Sequence, residues 1–382
     1  ALNVNLLRAG CGGRLSPMKI YQFRSPKTNT VGVGRRAVAV LLASLLIALL
    51  AACGPQDVPT GDGGYLPADA EAIVSIDAGS ILGSSLFQRV QSLFAENFGV
   101  NATDLLNEGL SEYGLALEMI ESLTLFTTDL SALEGDFVGG AIELANFDAE
   151  TAAGFAARFL QERGVSSADG IAEGLFRLET AEVDTPGYLH VGAERMLVAT
   201  DEALMLRMLS IESGEEEGMQ TDSVLQRRFA ASQAGQIRGA AVPRDQTLSM
   251  LNDELEDEIE DGEFLLDQVR AEWASFALEI DEDLHIYARL DTGDEEYSEE
   301  LVSAVEQSLA QSEELTEELL DESGLARSPF ASLQSYVPEV LESIGGEQEG
   351  SELELRATIP GPLVEELAGL LLLFLAFSGM LS

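Results

Sequence analysis

Ala72-Ile73-Val74-Ser75-Ile76-Asp77 and Ile237-Arg238-Gly239-Ala240-Ala241-Val242 are the two stretches on which the fold turns. The first alternates in the period-2 manner of a strand, which sends successive side chains to opposite faces. It feeds Ser80 to Phe98, where Ile81, Leu82, Phe87, Val90, Leu93 and Phe94 recur at helical spacing. The second stretch occupies the same place in a second, similar order of elements, with helical sequence again from Arg244 onward.

Working outward from the first stretch, Leu123 to Phe126 and Phe137 to Leu144 read as a strand pair. Asp148 then caps a helix from Ala149 to Arg163, with Gly164 at its stop. Gly174 precedes a strand at Leu175 to Leu178. Tyr188 to Val191 and Arg195 to Ala199 form a hairpin around Gly192-Ala193-Glu194, and Asp201 caps a helix reaching Leu209. In the second order, Trp273 to Ile280 and Leu284 to Leu290 form a hairpin turning at Asp281-Glu282-Asp283. Asp294 caps a helix through Leu301, Val305 and Leu309, and Leu353 to Ile359 is a strand broken by Gly361-Pro362 before a helix from Leu363 to Leu381. A period of about 150 residues is too long for a solenoid. The expectation is therefore α+β: two related lobes, each an antiparallel sheet with helices packed on one face, at residues 65–212 and 236–382, joined by a linker and helix at 213–235.

Tyr65 onward resembles a loosely defined group of exported bacterial proteins known only as domains of unknown function. The likeness rests on Leu66-Pro67-Ala68-Asp69-Ala70, the strand Ile73 to Asp77, and Ser84-Ser85-Leu86-Phe87. It implies a fold and an exported compartment, and no activity.

The amino-terminal segment carries the one specific motif. Met18 is followed by a basic stretch ending in Arg35-Arg36, and residues 1–17 read as an upstream extension. Ala37 to Ala52 are sixteen uncharged, mostly apolar residues, about 24 Å as a helix, which is short of a bilayer core of roughly 30 Å. A basic flank, a short apolar core and small residues before a cut site are the three parts of a secretory signal. Leu50-Ala51-Ala52-Cys53 resembles the lipobox of bacterial lipoproteins, which implies cleavage between Ala52 and Cys53 and lipid attachment at Cys53. Residues 1–52 are thus expected to be extension and signal peptide, and residues 53–64 a lipidated tether of Gly, Pro and Asp character. Its eleven residues after Cys53 reach at most about 36 Å. The expected location is the outer face of the cytoplasmic membrane or the outer membrane, with Gly54 rather than an aspartate after the cysteine pointing to the latter.

Composition narrows the partners. The chain of 382 residues is 46% hydrophobic, as ordinary globular sequences are, yet its formal net charge is -46. Residues 1–53 hold seven basic side chains and no acid, including both lysines, Lys19 and Lys27, which leaves 14 arginines against 67 acids downstream. Such a surface repels phosphate backbones, so no nucleic-acid partner is expected. Cys11 and Cys53 are the only cysteines, so cleavage before Cys53 leaves one and no disulfide.

Catalytic and metal motifs fail on inspection. In the acidic run Asp253 to Glu263, Asp257, Asp261 and Gly262 fit a calcium loop, but Ile259 and Gln268 stand where oxygen ligands belong. Glu313, Glu314, Glu317 and Glu318 read as a solvated helix face. His190 and His285 each lie in a strand, sharing a face with Tyr188 and Tyr287, and nothing in sequence pairs them. No metal or cofactor is expected. Leu367 to Ser382 carries sixteen uncharged residues and reads as a buried terminal helix, or, if exposed, as a partner or lipid groove. The reading is a non-catalytic envelope lipoprotein binding a partner protein, an apolar ligand or another envelope component; the alternative is a hydrolase using paired acidic residues. Cys53→Ser is expected to abolish incorporation of labelled palmitate and to shift the protein from membrane to soluble fractions. A cleaved, membrane-bound Cys53→Ser protein would overturn the lipobox reading and turn attention to the carboxy-terminal helix.

Overall fold

The fold is described from a computed structural model, covering residues 64–99, 101–130, 138–161, 165–168, 172–179, 186–232, 234–250, 270–306, 309 and 333–377. Cys53, Ala52 and the acidic runs at 253–263 and 313–318 lie outside the described residues.

The α+β class holds, with twelve antiparallel strands in the order β11-β12-β10-β9-β8-β1-β2-β3-β7-β6-β5-β4. The strands expected in two sheets are joined edge to edge in one. The seam is the pair β1 (Ala72–Asp77) and β8 (Ile237–Ala241), the two stretches that open the repeated orders, in register from Ala72↔Ala241 to Ile76↔Ile237. Outward from the seam, each half runs through a hairpin pair and then a returning strand. These are β2 (Ile120–Thr127), β3 (Val138–Leu144) and β7 (Arg195–Ala199) on one side. On the other they are β9 (Trp273–Ile280), β10 (Leu284–Asp291) and β12 (Glu352–Ile359). The physical reason for the merger is that β1 and β8 would each present an unpaired edge, and pairing them satisfies both. The remaining edges are short: β4 (Val165–Ser167), followed inward by β5 (Leu175–Leu178) and β6 (Gly187–Val191), and β11 (Gly345–Glu349), which carries Glu347 and Glu349.

Helices cover both faces of the β1–β7 half rather than the single face expected. Ile73, Phe126, Ala141 and Leu197 point to what we term the first face, where they pack with Leu204, Met205 and Met208 of one helix (Glu202–Glu212) and Leu225 and Phe229 of another (Val224–Ala231). Ile76 and Leu123 point to the second face, against Ile81 and Phe87. Further out, Leu144, Phe176, Leu189 and Met196 meet Ala152 and Phe155 of the helix Ala149–Phe159. Both sides of these strands carry apolar residues, so neither can face water without cost.

Local chemistry sets the element ends. The helix expected from Ser80 to Phe98 is broken at Ser84 into α1 (Ala78–Gly83) and α2 (Ser85–Phe98). Ser84 closes the first and opens the second, its hydroxyl donating to the Ile81 carbonyl (2.8 Å) and accepting from the Phe87 amide (3.2 Å). Asp148 caps through the Thr151 amide (2.8 Å), Asp201 through Ala203 (2.8 Å), and Asp294 through Glu296 (3.1 Å), as their sequence positions imply. The helix Ala102–Glu112 and strands β4 and β11 carry too little periodicity to be read from sequence.

The segment leading into β1 is tied down on the first face. Tyr65 and Leu66 are fully buried, and the Met219 amide donates to the Leu66 carbonyl (2.8 Å). Glu71, 3% exposed, is paired to Arg244 (2.6 Å) and accepts from the Leu130 amide (3.1 Å) and Thr247 hydroxyl (3.3 Å).

Asp77, at the end of β1, caps α1 from a buried position beside Arg238. Burial pushes its carboxyl up from 3.8 to about 7, with the Ser80 hydrogen bond and Arg238 opposing. A raised acid binds its proton more tightly when folded, so its contribution is fully present below about pH 4 and is lost as pH rises through about 7. Asp77→Asn keeps a capping oxygen and removes the charge. It is expected to raise the melting temperature at pH 8 and leave it nearly unchanged at pH 4; a loss at pH 8 would mean that the ionised carboxylate is needed there.

Candidate functional site: an apolar cleft across five strands

The register of the sheet determines where the second face is filled and where it is hollow. Reading across the strands, Ile76, Ile237, Leu278 and Ile286 form one row of large aliphatic residues, and Ile81 and Phe87 pack over it. The next row is Val74, Gly239, Phe276, Ala288 and Leu355. The one after that is Ala72, Ala241, Ala274, Leu290 and Leu353. Four alanines and a glycine in these two rows keep the floor low across β1, β8, β9 and β10. Leu301 and Val305 of the helix at 295–306 form a wall above it.

The result is a cleft of about 500 Å³, within the usual range for small-molecule sites. Its side-chain surface is aliphatic and aromatic. Ser275 and Arg289 border it through their backbones, since alternation turns their side chains to the first face. There the Arg289 guanidinium pairs with Glu354 through Nε (2.8 Å) and Nη2 (2.7 Å). Among the described residues, no lining side chain is placed to hold a metal or to move a proton.

Gly239 has a specific part in this shape. The Phe276 ring lies over it, and a Cβ at position 239 would overlap that ring. Glycine therefore lets Phe276 lie flat against the sheet instead of projecting into the cleft.

One end of the wall helix is held by a hydrogen-bonded knot. Asp291 Oδ1 accepts from the Gly293 amide (3.0 Å) and Ser351 hydroxyl (2.8 Å), and Oδ2 from the Trp273 indole (2.8 Å). Burial raises this carboxyl, yet those three donors and nearby Arg228 outweigh burial and hold it below the usual aspartate range. Arg228 also stacks 4.0 Å over the Trp273 ring. Gly293 adopts φ +69°, a left-handed turn that a side chain would strain. Beyond it, the fully buried Ser298 donates to the Ser351 carbonyl (2.9 Å), pinning the helix start.

The residues singled out from sequence lie elsewhere. His190 on β6 and His285 on β10 are separated by six strands, about 34 Å at 4.8 Å spacing. Burial lowers the His190 pKa, whereas His285 bonds Thr358 (3.0 Å) and lies 3.5 Å from Asp281. Two acids do converge on the first face: Glu143 (3.4 Å) and Glu212 (3.8 Å) flank Arg195, whose guanidinium lies over the buried Tyr65 ring. Burial pushes the Glu143 carboxyl up and Arg195 draws it back. Among the described residues, no group of three or more His, Cys, Asp or Glu side chains is placed to hold a metal ion. The terminal helix Gly361–Phe377 packs against α2, with Arg89 pairing to Glu365 and Leu367 47% exposed. Among the described residues, no helix is long and apolar enough to cross a membrane.

Sequence reasoning missed the cleft. The signal was present as alanines at inward strand positions, but their alignment across four strands is set by register alone. No family model, curated protein or solved structure matches the chain.

Gly239→Ala is expected to force Phe276 out of its place and lower stability by about 1–3 kcal/mol in urea denaturation. Gly109→Ala, at an exposed helix position with no atom within 4 Å of the added Cβ, serves as the control. It should stabilise by up to about 1 kcal/mol.

Proposed function

We propose that this chain is a lipid-anchored envelope protein that binds an apolar small molecule in the cleft across β1, β8, β9, β10 and β12, without catalysis. The observation that carries the reading is the cleft itself: about 500 Å³ bounded by alanine, leucine, valine and phenylalanine, with a floor kept low by small residues in register. Apolar walls of this kind exclude water and gain by exchanging it for hydrocarbon. The lipobox-like stretch Leu50 to Cys53 supports the anchor, and a lipid there would hold the domain beside a bilayer, a reservoir of such ligands. The converging acids Glu143 and Glu212 lie on the opposite face and are bridged by Arg195, so a hydrolytic reading draws no support from the cleft.

The test uses the neutral fluorophore N-phenyl-1-naphthylamine, which brightens on leaving water. Wild-type protein should enhance and blue-shift its emission. Ala288→Trp, which fills the floor of the second row, should weaken the affinity at least tenfold while circular dichroism stays native. Ala274→Leu, a smaller insertion in the adjacent row, should weaken it less. Unchanged binding in both folded variants would place the probe elsewhere and remove the cleft as the site.

A further inference from the structure

The charge pattern around the cleft goes further and selects among apolar ligands; this step rests on the ligand-binding reading above. A lipid that enters a protein site usually brings a headgroup, and an anionic headgroup needs a cation or several donors, because a desolvated charge left unpaired is strongly disfavoured.

Among the described residues, the cations at the border of this cleft are already engaged. Arg289, whose backbone lines it, projects its side chain from the opposite, first face, where the guanidinium pairs with Glu354. Arg228 is held against the Trp273 ring and lies 3.8 Å from Asp291 and 3.5 Å from Glu352. Arg270, before β9, pairs with Asp294 (3.0 Å) and lies over the Tyr297 ring. Arg244, just after β8, is held by the buried Glu71. The lysines, Lys19 and Lys27, both precede the lipobox, and the chain carries a formal net charge of -46. An anion approaching the cleft would meet a repulsive field and, among the described residues that line it, no partner.

Shape adds a second restriction. The lined floor runs across five strands, about 19 Å at roughly 4.8 Å per strand, while its two rows lie only about 7 Å apart. That is a trough for one linear chain rather than for a broad ring system or a two-chain lipid.

We propose that the cleft binds an uncharged, single-chain lipid, of the class of long-chain alcohols and monoacylglycerols, and discriminates against the fatty-acid anion of the same length. Selectivity comes from the missing counter-charge. Protonating the carboxyl therefore restores binding.

Displacement of N-phenyl-1-naphthylamine from the full-length protein by oleyl alcohol, monoolein and oleic acid tests this. At pH 8 the alcohol and monoolein should displace the fluorophore, and oleate should need at least tenfold more. The gap should close near pH 4, where a carboxyl takes up its proton. Leu301→Arg, which puts a cation on the cleft wall, should shift preference toward oleate at pH 8. Oleate binding as well as the alcohol at pH 8 would overturn the selectivity while leaving ligand binding intact. If none of the three displaces a fluorophore whose affinity Ala288→Trp abolishes, the cleft still binds apolar molecules and the lipid class is wrong. Displacement unaffected by Ala288→Trp would remove the site and this proposal together.

Discussion

The pairing of β1 with β8 is the constraint on which the rest depends. Five residue pairs from Ala72↔Ala241 to Ile76↔Ile237 join two repeated orders of elements by backbone hydrogen bonds. The consequence is geometric, because the register of one pair propagates through every later pair. Ala72 is aligned with Leu353 only because four successive ladders, β1·β8, β8·β9, β9·β10 and β10·β12, keep step. A slip by one residue at the seam would turn the inward alanines of one half to the opposite face from those of the other. The cleft is thus a property of the joined sheet and belongs to neither half alone.

Side-chain size then determines what each row of that sheet becomes. A row of isoleucine and leucine offers knobs that α1 and α2 can pack against, and Ile81 and Phe87 do so. A row of alanine and glycine stays too low to meet a covering helix, and Phe276 lies down over Gly239 without refilling it. Close packing is the rule in protein interiors, so a hollow of this size lined by hydrocarbon is a departure with a stability cost. The Asp291 knot shows how that cost is contained: it ties the wall helix to β9, β10 and the β11–β12 turn with hydrogen bonds rather than with apolar contacts across the hollow.

Arginine is the scarce ion of this protein, and its placement follows from that scarcity. Exposed ion pairs contribute little individually, about 0–1 kcal/mol. Four pairs join segments distant in sequence: Arg207 on Asp69, Arg89 on Glu365 and Arg289 on Glu354 are partly exposed, and Arg244 pairs with the buried Glu71. Two of these four hold the segment that leads into β1. With acids in such excess, most of the described arginines lie beside a carboxylate, and among the described residues no guanidinium lines the cleft.

Much of the local structure was legible in the residues. Asp148, Asp201 and Asp294 announce helix starts because a short carboxylate satisfies amides two or three residues on, a purely local bond. The hairpin at Asp281-Glu282-Asp283, and the strands around it, follow from alternation between turn residues. Ser84 was harder, since a helix broken by one serine keeps its apolar spacing on both sides. Helices on both faces were not legible, because buried strands carry apolar residues at successive positions and no longer alternate cleanly. The repeat was visible in order, with Ile73 to Asp77 answering Ile237 to Val242, while its meaning was not. What the sequence determined by itself was the class of fold, the caps, the lipobox expectation at Cys53 and the acid surplus, all set by neighbours along the chain. What only the tertiary structure decided was the single sheet and the hollow over Ala72, Ala241, Ala274 and Ala288, because pairing partners and cross-strand register are chosen by distant backbone.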